Sequence, residues 1–270
     1  MFECVINIAE GRDLEALDDV ARRAGPSCRD RHSDPVHNRS VFTLVAEAPA
    51  LAHDVRALIS AAYEHFDLRS HEGVHPRFGV VDVVPFVAYH DDETVAMALR
   101  DETATWLADA FEVPVFFYVG HPSPDARTLP EVRRRAFLDL APDRGPQTAS
   151  PSRGASALGV RDVLVAWNLW LSGVSLEETK KLAAALRGPA VRSLGFDLGE
   201  TTQVSCNLVT PDAVGPGFVY DAVKERVGEA RIIRGELVGL IPESVLRNEA
   251  PERWEKLGLS RDATIEARSA

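Results

Sequence analysis

The spacing of apolar residues along the first half of the chain predicts alternating strands and helices. Runs rich in β-branched and aromatic residues, such as RSVFTLVA and FGVVDVVPFVAY, are typical of buried strands, and apolar positions three and four residues apart are typical of amphipathic helices. The predicted elements are a strand at 2–9, a helix at 12–25, a weak strand at 27–32, a strand at 39–46, a helix at 49–66 and a strand at 78–89. This βαββαβ order is that of a ferredoxin-like subdomain.

The second half repeats the same order after a region rich in Pro, Gly, Ser and Arg. A helix at 91–111 and a strand at 113–120 extend the first half before that region, which covers residues 122–154 and holds a basic helix near LPEVRRRAFLDL. A long loop is predicted at 143–156. The later elements are strands at 161–169, 190–197, 202–209 and 230–238, helices at 175–187 and 216–229, and a helical tail at 242–257. We predict an α+β fold of two ferredoxin-like βαββαβ subdomains, residues 1–158 and 159–257, with a frayed tail at 258–270 and a ligand groove between them.

Composition and charge narrow the class of protein. The 270 residues are 45% hydrophobic and 26% charged, with no apolar run of membrane-spanning length and no signal peptide, so we expect a cytoplasmic globular protein. The formal net charge of −11 argues against a broad nucleic-acid surface, which requires clustered Lys and Arg. Cys4, Cys28 and Cys206 are scattered, as expected for reduced thiols rather than for a disulfide frame or a zinc cluster.

The string His71-Glu-Gly-Val-His75 matches H-E-x-x-H, the pattern of zinc proteases. That chemistry requires a helix, which brings both histidines to one face. Here Gly73 lies inside the pattern and Pro76 follows it, and both residues disfavour a helix. We therefore predict a turn that leads into a buried strand.

His75 is the strongest single candidate for proton-transfer chemistry. Its imidazole has an ordinary pKa of about 6.5, so it can act first as a general base and then as a general acid. Pro76 restricts the backbone beside it. The alternative, for His75 as for His71, is a loop histidine that bonds a backbone carbonyl.

One acidic residue and three arginines are further candidates for a functional site. Asp82 lies in the apolar stretch GVVDVVPF, where an unpaired charge is costly, so we expect it to face a cation such as Arg77, or the cleft, unless it is a solvent-facing strand position. Arg39, Arg77 and Arg153 lie in turn-rich stretches and are candidates for binding an anion, or else solvated surface residues.

A metal site is a weaker hypothesis. His32, Asp34 and His37 could combine with His71 or His75, but their spacing fixes no tetrahedral arrangement, and we expect no metal. Phosphate-loop, dinucleotide-binding and G-x-S-x-G motifs are absent from the sequence.

Several of these stretches together resemble the formimidoyltransferase family. ECVINIAEG matches the family pattern E-C-V-x-N-x-x-E-G, NRSV matches N-R-[ST]-V, and HPRFGVVDVVPF matches H-P-R-x-G-x-x-D-V-x-P-F. The likeness continues through DRGPQTASPSRGA, VLVAWNLWL, TQVSCNLV and ELVGLIPESVL, and so covers nearly the whole chain.

The resemblance implies transfer of a formimidoyl group between N-formimidoyl-L-glutamate and N5 of tetrahydrofolate, which serves as co-substrate without a metal. It implies that His75 is the catalytic histidine. It also implies a stand-alone transferase without a cyclodeaminase domain, acting on small molecules and forming a homodimer in many family members. The implied folate-binding loop consists of Gly145, Pro146, Gln147, Thr148, Ala149, Ser150, Pro151, Ser152, Arg153 and Gly154. The candidates for substrate binding are Asn38, which alternatively caps its turn, together with Arg39, Arg77, Asp82 and His32.

Departures from the family pattern leave alternatives open. The family often has an aspartate where His32 stands, and an aromatic residue or histidine within the loop where this chain has Ala149–Arg153. The alternatives are a related one-carbon transferase that uses another amidine or a formyl donor, a folate-salvage paralogue with a different donor, a folate-binding or regulatory protein that has lost turnover, and a metal-dependent amidohydrolase.

Overall fold

The computed structural model describes residues 1–119 and 126–269, and the chain divides into two compact units, Met1–Asp162 and Val163–Ala270. The described strands of unit 1 are β1 (Phe2–Ile8), β2 (Cys28–Asp34), β3 (Arg39–Ala46), β4 (Val81–Ala88), β5 (Val115–Val119) and β6 (Ser156–Val160). Its described helices are α1 (Leu14–Arg23), α2 (Ala48–His65), α3 (Glu93–Phe111) and α4 (Leu129–Arg135).

The sheet of unit 1 has the order β2-β3-β1-β4-β6-β5. Its first four strands are antiparallel neighbours in the ferredoxin-like order, and β6 then pairs parallel to both β4 and β5. The predicted βαββαβ order is therefore confirmed for this unit, with two further strands added beyond β4.

The two faces of this sheet carry different cores. Ile6, Leu44 and Phe86 belong to the larger core, which also includes buried residues of α1, α2 and α3. Phe116 and Tyr118 of β5 belong to a smaller core together with residues of β4, β6 and α4. Because alternate residues of a strand point to opposite faces, α4 lies on the face opposite α1, α2 and α3.

Unit 2 has the same topology in a smaller form. Its described strands are β7 (Val165–Ser172), β8 (Val191–Asp197), β9 (Thr201–Leu208) and β10 (Ile232–Val238). Its described helices are α5 (Leu176–Leu186), α6 (Pro216–Val227), α7 (Glu243–Arg247), α8 (Trp254–Leu257) and α9 (Ile265–Ser269). The antiparallel sheet order is β10-β7-β9-β8, again ferredoxin-like, so the predicted α+β fold with two such subdomains is confirmed. No helix in the described part of the chain is both long and apolar enough to cross a membrane.

Several boundaries differ from those predicted. The units divide after Asp162 rather than after residue 158, because β6 pairs with β4 and β5 and so belongs to unit 1. The strand expected at 161–169 begins at Val165. The segment expected to fray at its end instead contains α9, with Ile265 fully buried. The last residue of the strand predicted at 113–120 lies outside the described residues.

Candidate active site

His75 lies in a non-helical loop that leads into β4. None of residues 71–80 is helical. Gly73 packs against the neighbouring turn, where a β-carbon would lie 2.5 Å from the carbonyl oxygen of His37. Pro76 keeps the residue before it out of the α region. The predicted turn is confirmed, and the H-E-x-x-H string does not form the helix that a zinc protease requires.

The Nδ1 atom of the half-buried His75 ring has two hydrogen-bonding neighbours, one that can only accept and one that can only donate. The carbonyl oxygen of Pro76, 2.7 Å away, can only accept a hydrogen bond, whereas Nη1 of Arg39, 3.0 Å away, can only donate one. With its proton on Nδ1, the ring donates to Pro76 and carries its lone pair on Nε2. With its proton on Nε2, the ring accepts at Nδ1 from Arg39. The two contacts therefore belong to alternative tautomers.

Asp82 supplies a buried negative charge beside this ring, with 0% of its surface exposed. Its Oδ2 accepts hydrogen bonds from Nη1 of Arg39 at 2.8 Å and from Arg133 at 2.6 Å. Its Oδ1 accepts from the backbone N–H of Phe78 at 2.7 Å. Two cations and one backbone donor thus compensate the loss of water around the carboxylate.

Burial and charge shift the pKa values of this cluster. Burial disfavours the charged imidazole and Arg39 repels it, so the pKa of His75 falls from 6.5 to about 3. Burial alone would raise the pKa of Asp82, but Arg133 and Arg39 outweigh it and the pKa is lowered. At neutral pH the site therefore holds a neutral imidazole, one carboxylate and two guanidinium groups.

Arg39, the first residue of β3, also forms hydrogen bonds to the neighbouring strand β1. Its Nε donates to Oδ1 of Asn7 at 3.1 Å, and its Nη2 donates to the same oxygen. Asn7 lies in β1, next to a register shift against β4. Arg39 therefore joins β1, β4 and the His75 loop, which is a positioning role, and its contact with substrate stays a prediction.

Asn38 joins three loops rather than capping a single turn. Its Oδ1 accepts from the N–H of Gly11 at 2.9 Å, and its Nδ2 donates to the carbonyl oxygen of Glu72 at 2.8 Å. Its own carbonyl oxygen lies 2.9 Å from Nε2 of His71. Its φ of 48° is a conformation that asparagine adopts more readily than most residues. These bonds fix the His75 loop against the start of β3, and they place His71 in the carbonyl-bonding alternative.

The residues considered for a metal site do not come together as one. No group of three or more His, Cys, Asp or Glu side chains within the described residues could hold a metal ion. The ring of His37 lies 5.8 Å from that of His75, and its Nε2 lies 3.9 Å from Asp34. His32 lies on the edge strand β2 opposite Val41, with β3 and β1 between it and β4.

The other two predicted arginines have separate surroundings. Arg77 donates to the carbonyl oxygen of His71, so the cations that Asp82 faces are Arg39 and Arg133 rather than the suggested Arg77. Arg153 donates to the carbonyl oxygen of Phe111 at 3.0 Å, and its guanidinium lies over the rings of Tyr63 and Phe111, 5.6 and 5.4 Å from their centroids. The structure thus fixes Arg153 at the C-terminal end of α3, where the partial charge of the helix favours a cation.

The C-terminal part of the predicted folate loop lies beside the segments that flank His75. Backbone hydrogen bonds link Leu68 N–H to Ser152 at 2.7 Å and Val80 N–H to Arg153 at 2.9 Å. A β-carbon on Gly154 would lie 2.5 Å from the Cα of Gly79, so the two chains approach as closely as glycine allows. The C-terminal part of the loop 145–154 is therefore joined to the backbone that follows His75.

Arg133 is the site residue that the sequence did not reveal. It donates to Asp82 from the basic helix α4, 51 positions along the chain, and lies 3.4 Å from the carbonyl oxygen of Pro76. A signal existed, because a buried carboxylate requires a cation and α4 carries three consecutive arginines. The sequence pattern of α4 does not indicate which of its arginines contacts Asp82.

The sequence matches known proteins over this same region. The family model described as formiminotransferase domain, N-terminal subdomain, matches residues 1–161, nearly the whole of unit 1. The chain is 33% identical to a glutamate formimidoyltransferase of Thermoplasma acidophilum, with 91% of this chain and 89% of that protein aligned. It is 30% identical to a glutamate formimidoyltransferase of Streptococcus pyogenes, with 91% and 90% aligned.

A longer relative matches as well. The formimidoyltransferase-cyclodeaminase of Sus scrofa is 31% identical, with 96% of this chain and 53% of that protein aligned. The likeness thus covers both compact units in the shorter and the longer relatives. With a family model matched over more than half of its residues and a 33% identical relative spanned almost throughout, the chain belongs to the formimidoyltransferase family.

Proposed function

We propose that this protein transfers a formimidoyl group between N-formimidoyl-L-glutamate and tetrahydrofolate, with His75 as general base and then general acid. The relatives named glutamate formimidoyltransferase support the reaction. The observation that carries the role of His75 is its ring, held neutral beside Arg39 and backed by the carbonyl oxygen of Pro76.

The transfer requires one bond to form, one to break and one proton to move between nitrogens. N5 of tetrahydrofolate attacks the amidine carbon, and a tetrahedral centre forms. The N5 proton passes to Nε2 of His75, which then donates it to the glutamate nitrogen as the bond from carbon to that nitrogen breaks. The products are N5-formimidoyl-tetrahydrofolate and glutamate. A correctly placed acid–base group of this kind typically contributes about 10²–10⁴ in rate.

The Pro76 contact suits both protonation states that this sequence uses. A proton on Nδ1 donates to the carbonyl oxygen in the neutral base and also in the imidazolium. The Arg39 contact suits the other tautomer, in which Nε2 carries the proton and has no lone pair. We infer that the tautomer bound to Pro76 is the active one.

The substrates themselves raise the basicity of His75. In the protein alone its pKa of about 3 makes it a weak base, because burial and Arg39 disfavour the imidazolium. Both substrates carry carboxylates, which enter a site that contains two guanidinium groups and one buried carboxylate. Negative charge near Arg39 and Arg133 offsets their repulsion and moves the pKa of His75 upward.

We assign the loop Gly145–Gly154 to folate binding and Arg77 to a substrate carboxylate. The loop is supported by its backbone bonds to the segment after His75. Arg77 lies two residues after His75 and is half-buried. Arg39 and Asp82 form the charged surroundings of the catalytic ring, and Asn38 holds the loop of His75.

Two further properties belong to this proposal. A cytoplasmic location is supported by the three free cysteines. Dimerisation rests on the resemblance alone, and light scattering on the purified protein tests it directly.

Purified protein incubated with N-formimidoyl-L-glutamate and tetrahydrofolate tests the proposed reaction. Acid treatment or an added cyclodeaminase converts the product to methenyltetrahydrofolate, which is followed by its absorbance. We expect product with this donor and none with N-formyl-L-glutamate. Product only with the formyl donor would indicate a related one-carbon transferase, and folate binding without any product would indicate a protein that has lost turnover.

A further inference from the structure

Phe137 adopts a backbone conformation that aromatic residues rarely accept. Its φ is 62°, in the left-handed region where glycine and asparagine are common and bulky residues are outliers. It lies in a tight turn directly after α4, where its N–H donates to the carbonyl oxygen of Leu140 at 3.0 Å. A turn that served only to reverse the chain would adopt this geometry with less strain if glycine or asparagine stood here.

The ring of Phe137 packs against two aromatic rings, and the residue stays partly exposed. Its centroid lies 5.1 Å from that of the buried Phe116 in an edge-to-face arrangement, and 6.1 Å from that of Phe78. Even so, 37% of the residue remains exposed. The two aromatic contacts hold the ring, while more than a third of the residue stays accessible to a ligand.

The same turn is tied to the catalytic cluster. The helix before it carries Arg133, which donates to Asp82 at 2.6 Å and lies 3.4 Å from the carbonyl oxygen of Pro76. Phe78, the second aromatic neighbour of this ring, donates its N–H to the same carboxylate at 2.7 Å. Phe137 is therefore connected to Asp82 in two ways, through Arg133 of the preceding helix and through its ring contact with Phe78.

We propose that Phe137 forms an apolar wall for the pteridine ring of tetrahydrofolate. This inference rests on the proposed function. N5, the reacting atom, is part of the pteridine, so that ring must lie within hydrogen-bonding reach of His75. A flat heterocycle stacks favourably on a fixed aromatic ring, and the strained, exposed position of Phe137 supplies one beside the cluster.

The test compares two substitutions that separate the ring from the backbone. Phe137→Asn keeps a residue that tolerates positive φ and removes the ring, whereas Phe137→Tyr keeps the ring. We expect Phe137→Asn to raise the KM for tetrahydrofolate about tenfold and to leave the KM for N-formimidoyl-L-glutamate within about twofold. Phe137→Tyr should retain the KM of the unsubstituted protein. Met97→Asn is the matched control, because Met97 is 42% exposed on α3, on the opposite face of the sheet.

Two fragments of tetrahydrofolate test which part of the molecule contacts Phe137. We expect 6-methyltetrahydropterin, which contains the pteridine, to lose about tenfold in inhibitory potency in Phe137→Asn, while p-aminobenzoylglutamate loses none. Equal potency of the pterin against both proteins, with a melting temperature close to that of the unsubstituted protein, would overturn the inference. If the unsubstituted protein transfers no formimidoyl group, the proposed function fails. Direct binding of the two fragments to the two variants then decides the role of Phe137 separately.

Discussion

Nη1 of Arg39 lies 3.0 Å from Nδ1 of His75. Burial disfavours a positive charge on the imidazole, and the guanidinium at this distance acts in the same direction, so the pKa of His75 is lowered to about 3. The same nitrogen of Arg39 also donates to Asp82 at 2.8 Å. The guanidinium thus adds to the effect of burial in keeping the ring neutral, and it also pairs with the buried carboxylate.

Replacing Arg39 with an uncharged residue should raise the pKa of His75. In Arg39→Met the repulsion disappears while burial remains, so the pKa of His75 should rise from about 3 without regaining its full usual value. Titration of the His75 ring protons by NMR measures the shift. An unchanged pKa would mean that burial alone sets the protonation of the ring.

The pH dependence of the reaction should differ between free and substrate-bound protein. The acid limb of kcat/KM reports the free protein and should lie far below pH 6.5, because the pKa of His75 is depressed there. The acid limb of kcat reports the bound state and should lie at higher pH, since substrate carboxylates offset Arg39 and Arg133. Coincident limbs in the two profiles would contradict the idea that substrates raise the basicity of His75.

Asp82 should matter more for stability than any exposed acid. Asp82→Asn keeps the shape of the side chain but leaves Arg39 and Arg133 with no buried anion, and removing one partner of a buried ion pair typically costs about 3–5 kcal/mol. The matched control is Asp139→Asn, which breaks an exposed pair with Arg135 and should cost less than about 1 kcal/mol. Urea unfolding at neutral pH measures both variants, and similar midpoints for the two would contradict this prediction.

Gly154 tests whether the loop 145–154 must lie against the His75 segment. Gly154→Ala places a methyl group 2.5 Å from Cα of Gly79, at a φ of +75°, so the loop must move. We expect a higher KM for tetrahydrofolate together with a loss of stability. Gly173→Ala is the control, because it has a φ of +65° with no atom within 4 Å of the new β-carbon and so carries only the backbone strain of about 1–2 kcal/mol. Equal effects of the two substitutions on KM would argue against the proposed folate loop.

The strands with strong local patterns could be predicted from the sequence, and β6 could not. RSVFTLVA spans the same residues, 39–46, in sequence and structure, because its β-branched and aromatic residues carry the signal. Ser156–Val160 contains small residues and a glycine, and apart from Ser156, the end of the predicted loop, no element is predicted for it. Gly159 is small for a tertiary reason, since the ring of Tyr118 would lie 2.5 Å from a β-carbon there. No local periodicity encodes that contact.

The candidate site was predictable to the extent that its residues are adjacent in the chain. The turn around His75 follows from Gly73 and Pro76, which are local signals. The expectation that Asp82 faces a cation names Arg77 as the example, but the cations that pair with it are Arg39 and, from 51 positions away on α4, Arg133. Pairing over such a distance depends on the packing of α4 against the sheet, which the sequence pattern does not determine.

Transfer activity of His75→Ala tests the central claim most directly. We expect kcat for formimidoyl transfer to fall by about 10²–10⁴, with tetrahydrofolate binding within about threefold of the unsubstituted protein because the loop 145–154 is retained. His53→Ala, which changes a histidine whose side chain is 82% exposed on α2, should leave kcat unchanged. Undiminished kcat in His75→Ala, measured on folded protein that still binds tetrahydrofolate, would contradict the assignment of His75 as the proton-transfer residue.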